Sequence, residues 1–116
     1  MLELAIKFLI SYLIGSISGA LTVGKLKNNT DIRKAGSGNA GATNALRTQG
    51  FSFALVVVII DIGKGIIAPL YVSTWDVAFF HHGSEIDQQI LTLICAAAAV
   101  IGHVWPMWHQ FRGGKG

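Results

Sequence analysis

Apolar residues fill three long stretches of this chain, and polar ones gather between them. The first stretch, residues 8–24, follows Lys7 and carries no charge; the second, 51–75, is interrupted only by Asp61 and Lys64. The third, 88–111, contains no Asp, Glu, Lys or Arg. A helix that crosses a bilayer needs about 20 mostly apolar residues, rising about 1.5 Å each. All three stretches meet that length, which predicts spanning helices over 4–25, 51–73 and 88–110. The β-branched run at 56–60 favours a strand in water, but in lipid each backbone group must be satisfied within its own segment, which favours helix. The four alanines at 96–99 suit a close helix-packing face, and Pro106 predicts a kink.

Composition agrees. Of 116 residues, 52% are hydrophobic and 13% charged, where a soluble domain has about 25% charged. The fold class expected is an all-α integral membrane protein, a polytopic helical bundle with three transmembrane helices and glycine-rich cytoplasmic loops. The length excludes a two-domain enzyme with separate substrate and cofactor modules. Cys95 is the only cysteine, which excludes an intrachain disulfide and a CxxC metal site. No His, Cys or carboxylate pair has metal-ligand spacing, so neither a metal nor a cofactor is expected. A net charge of +3, sparse and scattered, does not make a nucleic-acid footprint.

The charges that remain set an orientation. Residues 25–50 carry Lys25, Lys27, Arg33, Lys34 and Arg47 against Asp31, whereas 73–87 carry Asp76, Glu85 and Asp87 with no cation. Arg112 and Lys115 follow the third stretch. Short Lys/Arg-rich loops stay cytoplasmic. This predicts an outer N-terminus, a cytoplasmic loop over 26–50, an outer loop over 74–87 and a cytoplasmic segment from 111 to 116. Tyr71, Trp75, Trp105 and Trp108 lie near segment ends, as interfacial aromatics do. A cleaved signal peptide is the rival for the first stretch, since Ser16-Ile17-Ser18 loosely fits a cleavage site. Glu3 before Lys7 and the apolar run on to Gly24 oppose it.

The candidate chemistry lies in the polar segments. Gly36, Gly38 and Gly41 spell GxGxxG with Asp61 twenty residues on, the letters of a dinucleotide fingerprint. That fingerprint requires a buried strand before its first glycine, and residues 28–35 are polar and carry three charges. The same glycines suit an anion loop. They allow close backbone approach, Ser37, Asn39, Thr43 and Asn44 add short donors, a helix starting near Ala42 would aim its amides at the loop, and Arg47 offers a fork for phosphate. A plain Gly/Ser/Asn turn between membrane helices would use similar residues. A second glycine-rich segment, GGKG at 113–116, could wrap a phosphate with Gly113, Gly114 and Gly116 amides and the Lys115 ammonium. It lacks the Ser/Thr of a Walker A loop, and a glycine-ended helix is its plain alternative. Both segments are expected on one membrane side.

Asp61 and Lys64 stand i, i+3 inside an apolar segment, where charges are costly and face a bundle interior or a polar cavity. They suit either a neutralising packing pair or a lining of the site. His103 could serve as a general base, or as a buried histidine bonded to a neighbouring helix. His81, His82 and His109 are expected at the surface or interface.

These blocks follow one another in a familiar order: GSI at 15–17, DIRK at 31–34, SGNAGATN at 37–44, Leu46-Arg47, DIGKG at 61–65, GHVWP at 102–106 and FRGGKG at 111–116. The chain resembles the bacterial acyl-phosphate:glycerol-3-phosphate acyltransferases, the PlsY family, over nearly its whole length. The resemblance implies a multi-pass enzyme of the bacterial cytoplasmic (inner) membrane. Such an enzyme moves a fatty acyl group from acyl phosphate to the first-position hydroxyl of glycerol 3-phosphate, giving lysophosphatidate and phosphate for phospholipid synthesis. It further implies that Ser37, Gly38, Asn39, Gly41, Thr43, Asn44 and Arg47 line phosphate sites and that Gly113, Gly114, Lys115 and Gly116 form a phosphate loop. Family members often have proline where Ser18 stands, and they continue through further helices and a third motif block. The chain is therefore expected to be an N-terminal part whose site is incomplete alone. A non-catalytic small membrane protein or transporter fragment is the alternative of a different class.

Overall fold

The computed structural model describes residues 2–27, 29–75 and 87–114. Among them every regular element is helical. The helices are α1 (Leu2–Gly15), α2 (Gly19–Leu26), α3 (Ala42–Gln49), α4 (Phe51–Ile67) and α5 (Gln88–Val104). Short 3₁₀ turns cover Ile32–Lys34 and Met107–His109, and a π-helical turn, Ala68–Val72, prolongs α4. The outer loop expected over 74–87, with Asp76, His81, His82 and Glu85, falls almost wholly outside the described residues. So do Lys115 and Gly116.

Two helical stretches are long and apolar enough to cross a membrane, Phe51–Val72 and Gln88–His109, each 22 residues. The first apolar stretch is not one straight helix: α1 and α2 meet at 48°, and only the bent pair together reaches spanning length. The break has a local cause. Ser18 takes extended backbone angles (φ −83°, ψ 125°), and its hydroxyl accepts from the Leu21 amide at 3.2 Å, which starts a new helix inside an apolar run. Pro106 likewise gives a stop in place of the expected kink, since α5 ends at Val104 and Pro106 opens the following 3₁₀ turn.

Small residues decide how the helices meet. A side chain at Gly15 would enter the Ala99 backbone, and one at Gly102 would strike the Tyr12 carbonyl and the Ser16 amide. Ala98 and Ala99 are the buried pair of the alanine run. α1 therefore lies backbone-close along α5, as small-residue helix interfaces in lipid do. α2 and α3 pack on α4 around Leu21, Ala45, Phe53 and Val57, joined by Ile32 and Ala40 of the intervening loop. The opposite face of α4 shows Leu55, Ile59, Ile62, Ile66 and Leu70, a helical-period stripe of exposed apolar side chains that water would penalise and lipid would not. The molecule is 49 Å long, against a hydrocarbon core of about 30 Å, which leaves room for polar ends. At one end buried Lys7 donates to the Ser73 carbonyl at 2.8 Å and pairs with Glu3 at 3.0 Å. The polar loops gather at the other.

Candidate functional site

The first glycine-rich segment is folded around one side chain. Asn44, in the first turn of α3 and 1% exposed, donates its amide to the carbonyls of Ile32 (3.0 Å), Ala35 (3.1 Å) and Asn39 (2.8 Å). Its carbonyl oxygen accepts from the Ser37 amide at 3.1 Å. Asn44 is thus consumed by the loop, where the sequence suggests a donor to substrate. Gly36 (φ 55°) and Gly38 (φ 80°) turn the chain through the left-handed region, and a side chain at Gly36 would collide with Asn44.

What this scaffold presents outward is Ser37, Thr43 and Arg47, all exposed. The Ser37 hydroxyl accepts from the Asn39 amide at 3.3 Å. Gly41 caps α3 without a side chain, so no capping oxygen competes for the amides of its first turn. Arg47 has no hydrogen-bond or ion-pair partner among the described residues. A preformed backbone loop, two hydroxyls and an unpaired guanidinium together make an anion-binding surface.

The second segment folds back onto the helix it leaves. Gln110 (φ 57°) and Phe111 (φ 59°) reverse the chain, after which the Gly113 amide donates to the Val104 carbonyl and the Gly114 amide to the His103 carbonyl, each at 3.0 Å. The last carbonyls of α5 are satisfied by this return. Gly114 lies against the His103 ring, so that a side chain there would occupy the imidazole, and one at Gly113 would meet the His103 carbonyl and Pro106.

Arg33 ties the two segments together. Asp31 caps the turn at Ile32–Lys34 and holds the Arg33 guanidinium in a bidentate pair, with contacts of 2.8–3.2 Å. The guanidinium holds the Asp31 carboxyl below its ordinary pKa, chiefly by hydrogen bonding, although partial burial works the other way. The remaining N–H groups of Arg33 reach the His109 carbonyl (2.7 Å), the Arg112 carbonyl (3.0 Å) and the Gln110 side chain (3.2 Å). Sequence reasoning counts Arg33 only as a topology-setting cation. The spacing of Asp31 and Arg33, two residues apart in a turn, was the available signal.

Beneath both segments lies a buried polar cluster. Lys64, 7% exposed, donates to the Ile17 carbonyl at 3.0 Å and sits 3.3 Å from the Asp61 carboxylate. Asp61 accepts from the Gly19 amide at 3.0 Å. The α1–α2 break therefore supplies the two backbone groups that this pair requires. Lys64 Nζ also lies 2.8 Å from His103 Nδ1. The two nitrogens are within hydrogen-bonding distance, and the Nε2 edge of the ring lies on the side of Gly114. Of the two roles open for His103, the bonded histidine is the one the geometry displays. A cavity of about 160 Å³ opens beside the cluster, walled by Ala99 and Val100.

Comparison with known proteins follows from this arrangement. A family model described as glycerol-3-phosphate acyltransferase matches residues 5–116. A glycerol-3-phosphate acyltransferase of Chlorobium chlorochromatii (strain CaD3) is 45% identical over 121 residues, covering 100% of this chain and 50% of that protein. One from Prochlorococcus marinus (strain MIT 9312) is 42% identical over 106 residues, covering 91% and 49%. The crystal structure of PlsY (YgiH), an integral membrane glycerol 3-phosphate acyltransferase, in its glycerol 3-phosphate form superposes with a TM-score of 0.76. It is 33% identical and is matched over 97% of this chain and 52% of that one. Its lysophosphatidic acid form gives 0.72 at 32% identity, over 97% and 50%. The chain spans about half the length of the curated relatives it matches.

Proposed function

Because this chain belongs to the glycerol-3-phosphate acyltransferase family, we propose that the protein carrying it transfers an acyl group from acyl phosphate to glycerol 3-phosphate. The first-position hydroxyl oxygen attacks the acyl carbonyl carbon. The new ester C–O bond forms, the bond from that carbon to the phosphate oxygen breaks, and the hydroxyl proton leaves with the phosphate as hydrogen phosphate. Lysophosphatidate and inorganic phosphate are the products. The donor is a mixed anhydride with a good leaving group built in, so the protein's work is positioning and charge stabilisation.

The observation that carries this function is the Arg33 bridge, which holds the two glycine-rich segments side by side. Two phosphorylated substrates need two anion sites facing one another. The first-turn amides of α3 that follow Gly41, with the Ser37 and Thr43 hydroxyls and Arg47, serve one phosphate; Lys115, carried on the turn that Gly113 and Gly114 anchor to α5, serves the other with Gly116. Asn44 and His103 are positioning residues in this scheme, Asn44 for the first loop and His103 for the second, with Asp61 and Lys64 supporting His103. The spans 4–25, 51–73 and 88–110 cross the bacterial inner membrane from an outer N-terminus. The loop over 26–50 and the segment from 111 are cytoplasmic, 74–87 is outside, and the acyl chain lies toward lipid.

The test is direct. The purified protein with acyl phosphate and labelled glycerol 3-phosphate should yield lysophosphatidate and phosphate in equal amounts. Acyl phosphate alone should leave Ser37 unmodified by mass spectrometry. Absence of phosphate release contradicts the assignment, and a trapped acyl-Ser37 contradicts direct transfer.

A further inference from the structure

A basic cavity adjoins the Arg33 bridge. It measures about 180 Å³ and opens between the end of α2 and the turn at Ile32–Lys34, with His109 as part of its wall. Three cations line it, Lys25, Arg33 and Lys34, against one carboxylate, Asp31. Arg33 is spoken for: each of its N–H groups already has an acceptor, and Asp31 offsets its charge. Lys25 and Lys34 are different. Both are exposed, and neither has a hydrogen-bond or ion-pair partner among the described residues.

His109 adds an imidazole to the same wall. It is 6% exposed, yet its imidazole makes no hydrogen bond among the described residues; only its backbone is bonded. The imidazole borders the cavity, so a molecule held there can reach it. The Thr30 hydroxyl and the Asn29 side-chain amide on the same wall also have no hydrogen-bond partner among the described residues. The two unpaired ammonium groups, beside side chains that can each donate, suit an anion rich in acceptor oxygens.

The cavity also sits where apolar helix gives way to charged loop. Leu26, beside Lys25, is 84% exposed, and Trp105 and Trp108 near His109 are exposed as well, an arrangement suited to headgroup depth. The geometry points to a phosphate-ester site at this cavity, gripped by Lys25, Lys34 and His109 and set beside the Arg33 bridge between the two loops. Its ligand is the phosphate group of an anionic lipid headgroup or a free phosphorylated molecule. The inference is independent of the acyl-transfer reading.

The test uses thermal unfolding of the full protein in uncharged detergent. It is titrated with inorganic phosphate, short-chain phosphatidylglycerol or the matching phosphatidylcholine. The R47A/K115A variant removes the cation of each loop, so stabilisation that persists in it reports this cavity and not the transfer site. Saturable stabilisation should survive in R47A/K115A and weaken about tenfold in K25A/K34A, the scale of one lost charge-assisted bond. H109F should weaken it as well; if H109F lowers the unliganded melting temperature, the double variant of exposed lysines decides. Response to phosphatidylglycerol alone assigns a lipid headgroup, and response to inorganic phosphate a free ligand. No stabilisation by either anion, equal stabilisation by phosphatidylcholine, or unchanged midpoints in K25A/K34A overturns the site. Acyl transfer by the wild type is assayed separately, so failure of one inference leaves the other standing.

Discussion

Arg33 donates to the carbonyl oxygen of His109 at 2.7 Å, across 76 positions of sequence. That bond and its neighbours at Gln110 and Arg112 fix the first glycine-rich segment against the second. A lysine carries the same charge but a single ammonium, and cannot serve Asp31 and three acceptors together. R33K should therefore lower kcat/KM about tenfold or more while leaving membrane insertion intact. Steady-state kinetics on the purified variant check this; an unchanged rate removes Arg33 from the account.

The Asp31–Arg33 pair also gives a sign for pH. The folded-state pKa of Asp31 lies below its ordinary value, so its contribution to stability is complete above the ordinary carboxylate pKa of about 3.9 and is lost as pH falls through the depressed folded value. D31N should lower the melting temperature at neutral pH, and the gap to wild type should narrow as the pH drops below about 4. Asp31 is partly solvent-screened, so the effect is small. A gap that widens in acid contradicts the pair.

Asn44 should behave as part of the scaffold. N44A leaves three buried or half-buried loop carbonyls and the Ser37 amide without their partner. At about 0.5–1.5 kcal/mol for each hydrogen bond, N44A should cost several degrees of melting temperature and raise the glycerol 3-phosphate KM. A variant that kept full stability and lost only turnover would return Asn44 to direct substrate contact.

Lys64 is stabilised inside a span only by what surrounds it. An isolated charge at a helix centre costs about 2.5–3.5 kcal/mol on insertion scales. K64M leaves Asp61 partly buried with the Gly19 amide as its remaining partner, whereas D61N/K64M removes both charges. The double variant should therefore be the more stable of the two by melting temperature. The reverse order would show that the pair is not mutually neutralising.

Much of the fold was legible because lipid leaves few choices. Apolar runs of spanning length had to be helical, and the helices Phe51–Val72 and Gln88–His109 are what those runs form. The α1–α2 break was not legible, because the stretch runs on without a charge to Gly24, and only Ser18's cap geometry shows a new helix beginning. In the site, the glycines announced two loops, but Ser37, Asn39, Thr43 and Asn44 look alike in sequence. Burial alone separates Asn44, turned inward, from Ser37 and Thr43, turned outward. Lys64 and His103 stand 39 positions apart, and no local pattern could pair them.

The central claim is that the two glycine-rich segments share one membrane face. With Cys95 replaced by alanine, S37C and Q110C each place one thiol on an exposed position of a segment. A membrane-impermeant maleimide should label both in inside-out vesicles and neither in intact spheroplasts. Labelling of one from each side would contradict the claim, and with it the gripping of two phosphorylated substrates by one site.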